Sequence, residues 1–414
     1  MRATTIFRNI LQIPHTRVWS VDFGLFGVVL HVAPTTAAPR CSGCGCRVHA
    51  VYDGRARNWR HLDACGMEVQ FRYTLRRVQC PRCGVVIEMV PWAEPKAGFT
   101  RDFEDHVAFL AQQASQTTVA DTMRVAWRTV GAIIDRVMGR RRDPALLDGL
   151  EYIGVDELSY RKHHEYVTVV VDHIRERVVW SEPGKNAKTL GKFFDVLGPE
   201  RTQKLRIVTI DMSAAYIDAV TSRAPQAQIV FDKFHVQRLA QTALDELRRA
   251  EVRCLEDTGQ RGALKKTRWA LLKNPWNLSH QEKQRLSLIA RTNNRLYRGY
   301  LLKAALADIL DRRQIQVARD KLIEWISWAA RSRLAPFKRL AATIKKHLEG
   351  IVAIVATGLN NARTEGLNGK IRVITRRAYG FHSASALISF IFLCCSGLVL
   401  HPVFKSPPVS AAHP

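Results

Sequence analysis

Between Met67 and Val78 the chain alternates as a half-buried strand does: Val69, Phe71, Tyr73 and Leu75 share one face, and Arg72 and Arg76 take the other. Residues 1 to about 95 read throughout as short strands and turns. From Thr100 the apolar spacing turns helical, and it predicts helices over Phe103–Gln113, Thr118–Met123 and Trp127–Met138. The charged, proline-ended run Gly139–Pro144 reads as a linker. Beyond it the pattern predicts strands at Tyr152–Val155, Tyr166–Val171 and Arg177–Trp180, with the turn Asp172–Arg175 between the last two. A helix at Ala187–Leu197, a strand at Leu205–Ile210, a helix at Ser213–Ser222 and a strand at Gln228–Phe231 follow. From about Val236 to Val355 only helical spacing is seen, rich in Lys, Arg and Trp, and a last helical region spans Asn361–Arg377. The apolar stretch Leu387–Leu400 is broken by Ser389, Ser396 and Gly397. It is shorter than the roughly 20 residues that span a bilayer, so it reads as a buried core helix before a Pro/Ser tail.

Composition narrows the class. The 414 residues allow two or three domains, and 47% hydrophobic with 24% charged residues is a globular balance. Lys and Arg number 63 against 37 Asp and Glu, a formal charge of +26. Such an excess repels itself unless a polyanion is near; nucleic acid is the leading partner and an anionic membrane surface the alternative. The first twenty residues lack the unbroken apolar core of a signal peptide.

Six of the nine cysteines lie in the first quarter of the chain. Cys41–Cys44 and Cys80–Cys83 are CxxC knuckles that together can close a tetrahedral structural Zn²⁺ site in a reducing compartment. Cys46 or His49 could replace one ligand, and Cys65 reads as an ordinary buried thiol. The basic hairpin of this module could touch phosphate. After it, a short helix, a tight connection at Arg124–Ala126 and a longer helix make a helix-turn-helix pattern. Its last helix could lie in a major groove with Arg128, Thr129 and Arg136 toward DNA; a plain three-helix linker is the other reading.

Asp156 ends one expected strand and Asp211 follows another. Acids on the rim of a buried sheet can converge on a crevice, and with a helical Glu they can hold two Mg²⁺ through hard oxygen ligands. Aspartates at strand ends also simply cap turns. Among Trp269, Trp276, Trp325 and Trp328 most are expected to be core anchors, with one or two free to stack on an unpaired base.

The segments YIGVDELSYRKHHEYVTVVVD, IVTIDMSAAYIDAV, IVFDKFHVQRL and NNARTEGLNGKIRVITRRAYGF resemble the blocks of bacterial insertion-sequence transposases of the ISL-three family. The resemblance covers nearly the whole chain. It implies an α+β multidomain protein with an RNase H-like catalytic core broken by an all-helical insertion, preceded by a zinc-binding module and a helix-turn-helix. The expected divisions are 1–98 for the zinc module, 99–143 for the helix-turn-helix, 144–235 and 357–405 for the core, 236–356 for the insertion and 406–414 for a flexible tail.

The resemblance further implies a DDE triad of Asp156, Asp211 and Glu365 holding Mg²⁺ or Mn²⁺, with structural Zn²⁺ on Cys41, Cys44, Cys80 and Cys83. Asn360 or Asn361 can start the helix on which Glu365, Asn368, Arg372 and Arg376 fall near one face; Glu349 is a weaker competitor. Asp232 and His235 resemble a D-x-x-H element, and Asp232 is an alternative second acid. The implied activity is binding of terminal inverted repeats, metal-dependent DNA cleavage and strand transfer by a homo-oligomer. The expected place is the cytoplasm, at the nucleoid and off the membrane. A transposase-derived regulator without cleavage, and a nuclease that does not join, are the alternatives.

Overall fold

The computed structural model describes residues 2–24, 27–161, 165–257, 264, 267–273, 275–357, 362–378 and 380–402, with backbone alone at 161, 255–257, 362–365 and 368. The chain forms two compact units: the first runs through Asp143 and includes Ile374–Cys394, and the second is Pro144–Val373 with Cys395–Gly397. The expected caps Asn360 and Asn361 and the tail 406–414 lie outside the described residues.

The first unit opens with α1 (Ala3–Leu11), β1 (Thr16–Gly24), β2 (Gly27–Pro34), β3 (Val51–Ala64), β4 (Met67–Cys80) and β5 (Gly84–Ile87). The sheet order is β1-β2-β4-β3, with β5 also on β4. The alternation of β4 buries Val69, Phe71 and Leu75 against Trp59 and Trp92, whose rings meet edge to face at 5.7 Å. Tyr73 is half-buried and donates its hydroxyl to Glu88 at 3.0 Å. Arg76, expected on the solvent face, closes on the same buried Glu88 at 2.7 Å. Cys65 corrects another expectation. It is exposed and shares with Gly66 the two-residue turn between β3 and β4, both at positive φ (53° and 79°). A tight hairpin needs that backbone, and it turns the thiol outward.

Three helices follow: α2 (Arg101–Gln113), α3 (Gln116–Met123) and α4 (Trp127–Arg141). Thr100 caps α2 by accepting from the Phe103 N–H at 3.3 Å, and Ser115 caps α3 by accepting from the Thr118 N–H at 3.1 Å. Arg124, left-handed at φ 53°, ends α3. Val107, Ala108 and Ala111 of α2 and Val130, Ile133, Ile134 and Val137 of α4 are buried.

The second unit begins with β6 (Tyr152–Arg161), β7 (Glu165–Asp172), β8 (Arg177–Pro183), α5 (Ala187–Leu197), α6 (Pro199–Thr202), β9 (Ile207–Ile210), α7 (Ala214–Arg223) and β10 (Gln228–Phe231). The sheet order is β10-β9-β6-β7-β8. β6, β7 and β8 form an antiparallel meander, while β9 runs parallel to β6 and β10 parallel to β9. β6 does not stop at Asp156 as its apolar run suggests. Cross-strand pairing with β7 carries it on to Arg161.

From Lys233 to Arg377 the described residues hold only helices: α8 (Lys233–Asp257), α9 (Arg268–Leu272), a 3₁₀ turn at Pro275–Asn277, α10 (His280–Thr292), α11 (Asn294–Leu310), α12 (Ile315–Arg331), α13 (Ala335–Lys346), α14 (Leu348–Thr357) and α15 (Ala362–Arg377). Of the four tryptophans expected mostly in the core, only Trp325 is buried, its Nε1–H donating to the Leu302 carbonyl at 2.8 Å. Trp269, Trp276 and Trp328 are 58%, 68% and 38% exposed. Buried Lys303 donates to the carbonyls of Leu271, Leu272 and Lys273 at 2.7–3.2 Å and so closes the C-terminus of α9.

The last helix, α16 (Ala384–Cys395), is the apolar core helix that the sequence predicts, with Leu387, Phe390, Ile391 and Leu393 buried. Among the described residues no helix is long and apolar enough to cross a membrane.

Candidate active site and metal centre

The two CxxC knuckles come together. The donor atoms of Cys41, Cys44, Cys80 and Cys83 all lie within 4.8 Å of one another. Each knuckle ends in a left-handed glycine directly after its second cysteine, Gly45 at φ 71° and Gly84 at φ 72°. That conformation suits glycine and folds the turn back on itself. Backbone N–H groups then point at sulfur. The amides of Cys44, Cys46 and Arg82 give the leading pull that holds the Cys41, Cys44 and Cys80 thiols below their ordinary range.

Cys46 also stands here, its Sγ 3.1 Å from Cys44 and 3.5 Å from Cys80, while His49 is exposed and outside the cluster. Hydrogen bonding to the Cys44 thiol pushes Cys46 and Cys83 up to about 12. Sulfurs this close, with amides favouring their charged form, are relieved by a cation among them. The donor set fits a structural Zn²⁺.

The acids are built differently. Gly154 of β6 pairs with Thr209 of β9, so Asp156 and Asp211, each two residues on, stand level at adjacent strands. Ile210 pairs with Phe231, which brings Asp232 level with Asp211, and the Asp232 N–H donates to the Ile210 carbonyl at 3.0 Å. All three line one cleft of about 900 Å³ with Glu157, His235, Arg238 and Arg372. In each aspartate one oxygen accepts a backbone N–H: Glu157 at 2.7 Å for Asp156, Ser213 at 3.0 Å for Asp211, and Phe234 at 2.7 Å for Asp232. For Asp211 and Asp232, just past their strands, the turn-capping role is therefore real, and it aims the carboxylates rather than competing with the cleft; Asp156 lies within β6.

Gly154 supports this rim. A Cβ there would meet His173 Nε2 at 2.7 Å and Thr209 Oγ1 at 2.9 Å, two groups that bond to each other at 2.7 Å beneath the acids.

Glu157 is an acid that the sequence pattern does not single out. Burial first, and then the charge of Asp211, hold its carboxyl above the usual range. The available signal is its place directly after Asp156 in the strand. Unbalanced negative charge of this kind, on hard oxygen donors, is what a divalent cation relieves. The aspartates nevertheless do not close as the cysteines do: among the described residues the cleft carboxylates form no group of three or more ligand side chains within 4.8 Å. His235 Nε2 is 3.9 Å from Asp232 Oδ2. Glu365 sits on α15, and its side chain lies outside the described residues, as does that of Asn368. Glu349 pairs with Arg319 at the surface and is not in the cleft.

On α4, Arg128 is exposed and Thr129 half-buried. Arg136 turns inward, its Nε donating at 2.6 Å to Glu104, a carboxylate with no exposure. Arg136, expected to face DNA, thus lies on the face of α4 that packs against α2. Arg376 is exposed and does not line the cleft, whereas the neighbouring Arg377 binds the carbonyls of Ala111, Gln112 and Gln113 at 2.9–3.2 Å and closes α2.

Comparison with known proteins gives consistent matches along the chain. Residues 153–391 match a family model described as "Transposase", residues 88–138 one described as "Helix-turn-helix domain of transposase family ISL3", and residues 37–83 one described as "zinc-finger of transposase IS204/IS1001/IS1096/IS1165". The transposase for insertion sequence element IS1557 of Mycobacterium tuberculosis is 42% identical, with 89% of each chain covered. The transposase for insertion sequence element IS1001 of Bordetella parapertussis is 32% identical over 85% of this chain and 87% of its own. A zinc module, a helix-turn-helix and an acid-rimmed sheet in this order, with relatives covering most of the length, place the chain in the ISL3 family of insertion-sequence transposases.

Proposed function

We propose that this transposase is a DDE enzyme with an RNase H-like core, and that Asp156, Asp211 and Glu365 hold two Mg²⁺ or Mn²⁺ ions at which DNA strands are cut and joined. The observation that carries the reading is the level placement of Asp156 and Asp211 on adjacent parallel strands of a β10-β9-β6-β7-β8 sheet, above one cleft. Glu365 precedes Arg372 by seven residues on α15, a spacing that returns to the same helix face, and Arg372 lines the cleft.

Divalent cations bound there would polarise the scissile phosphodiester and the attacking oxygen. The chain's own groups do the rest. Backbone amides at Glu157, Ser213 and Phe234 hold the aspartates in fixed directions. Arg238 and Arg372 supply guanidinium charge at the rim, suited to phosphate oxygens. Asp232 and His235 order the cleft edge or contact DNA. Water attacks phosphorus and the 3′ oxygen leaves as a hydroxyl. That hydroxyl then attacks a target phosphodiester, exchanging one such bond for another without a covalent protein intermediate.

The zinc module and helix-turn-helix bind the terminal inverted repeats, and joining two ends calls for a homo-oligomer at the nucleoid. The test is Mg²⁺-dependent nicking and joining of DNA carrying the element's own ends. Asp156→Ala, Asp211→Ala and Glu365→Ala are each expected to lose both reactions while still binding DNA. If wild type binds but neither cuts nor joins with either metal, the regulator reading replaces this one; cutting without joining leaves a nuclease.

A further inference from the structure

Positive charge in the first unit does not gather on the helix expected to read DNA. The exposed stripe of α4 is Arg128, Ala132, Asp135 and Gly139, with one charge of each sign. Arg136, Arg140 and Arg141 are paired with Glu104 and Asp105. Small residues let such a face approach base edges closely, but it offers little to hold phosphate.

The β3–β4 hairpin is the opposite case. β3 is the edge of its sheet, and residues 51–56 and 58 are exposed although neighbours along a strand alternate faces. A groove of about 1020 Å³ opens along this arm, with four arginines (Arg55, Arg57, Arg72 and Arg77) against one acid, Asp53. Arg77 donates to Asp53 at 2.7 Å, which holds that carboxyl below its usual range. Arg57 is pinned by donating to the Ala97 carbonyl at 2.7 Å, with its guanidinium 5.2 Å from the Trp59 ring centre. Arg55 and Arg72 remain, and neither has a carboxylate partner among the described residues.

The arm is also anchored. At its other end Trp59 and His61 are buried, His61 Nδ1 meets Thr100 Oγ1 at 2.8 Å, and Asp63 pairs with Arg124 in the helix-turn-helix connection.

We propose that the β3–β4 arm grips the sugar–phosphate backbone of duplex DNA beside the segment read by the helix-turn-helix, with Arg55 and Arg72 as its phosphate contacts. Guanidinium forks match phosphate oxygens, and unpaired ones displace condensed counterions. Arginines here fix position, and α4 supplies sequence reading. The assignment rests on the reading of the protein as a binder of DNA ends.

The experiment measures affinity of the full chain for two duplexes, one with the element's end and one of mixed sequence, across a salt series. In Arg55→Ala/Arg72→Ala both affinities fall on the order of tenfold and the slope of log K against log salt shrinks by about 2. Arg55→Lys/Arg72→Lys retains most of the slope. Arg128→Ala instead narrows the difference between the duplexes and leaves the slope nearly unchanged. An unchanged slope in the double alanine variant, with zinc content and circular dichroism intact, overturns the assignment: the arginines would then only keep an edge strand solvated. If wild type binds neither duplex, the DNA-end reading falls and takes this assignment with it.

Discussion

The cysteine cluster and the acid cleft are both gathered from distant sequence, yet they are held in opposite ways. The cysteines are supplied by two self-contained turns, each with its own glycine and its own amides directed at sulfur, and their donor atoms close to within 4.8 Å. The aspartates are supplied by three neighbouring strands, Asp156 from within β6 and Asp211 and Asp232 from just past β9 and β10, so their spacing follows the sheet, and they stay further apart around a cleft of about 900 Å³. A closed, soft-donor set suits an ion that holds a fold together. An open, hard-donor rim suits ions that must share their coordination with a substrate. Ligand type and ligand spacing thus point the same way in each site.

The severest challenge to that contrast is to remove one ligand from the closed site. Cys80→Ala should abolish zinc binding and unfold the cysteine lobe, a loss on the order of several kcal/mol, because the metal's binding energy is folding energy there. Zinc stoichiometry and proteolysis of residues around the knuckles would measure it. A variant that keeps its zinc and its protection would refute a structural role for the ion.

Next in size is Glu88→Ala, beside the cysteine lobe. It strands Arg76 and Tyr73 next to a hole left by a buried carboxylate. About 3 kcal/mol of destabilisation is expected by urea titration. Wild-type stability would show that the pair does not support the module.

A smaller stability loss, with a larger loss of activity, is expected from Gly154→Ala. Its Cβ collides with the His173–Thr209 bond under Asp156 and Asp211, costing about 1–3 kcal/mol. Strand nicking should fall further than the melting temperature alone explains. Equal activity would mean the rim tolerates movement.

The smallest effect belongs to an acid outside both sites. Glu282 completes the cap of α10, and Lys273, then the Ser279 N–H, holds it below the usual carboxylate range. Its contribution is therefore present above its unfolded pKa and is lost as pH falls through the folded value. The stability gap between wild type and Glu282→Gln should be open at neutral pH and closed in acid. A gap independent of pH would contradict the lowered value.

What is legible in the sequence follows the range of the forces involved. Ala187–Leu197 and Gln228–Phe231 have the bounds that the pattern predicts, because local period and caps decide them. β6 outruns its apolar run because its extension past Asp156 depends on pairing with β7. The knuckles announce themselves by spacing. The inward pairing of Arg136 leaves no local trace, since its partner Glu104 lies on another helix and only packing brings them together. The tryptophans depart from expectation for a related reason: residue type favours burial, but only Trp325 meets a carbonyl and a pocket, while Trp269 and Trp276 stay outside. Cys65 defeats the expectation of burial because a thiol's apolar character says nothing about a turn that demands positive φ.

The central claim is that the acid cleft, and not the cysteine cluster, takes up the exchangeable divalent ions. Mn²⁺ binding to the zinc-loaded chain with end DNA, counted by electron paramagnetic resonance, tests it most directly. The expected result is that Asp156→Ala/Asp211→Ala loses the bound Mn²⁺ of wild type and keeps its zinc. A double variant that binds as much Mn²⁺ as wild type would contradict it.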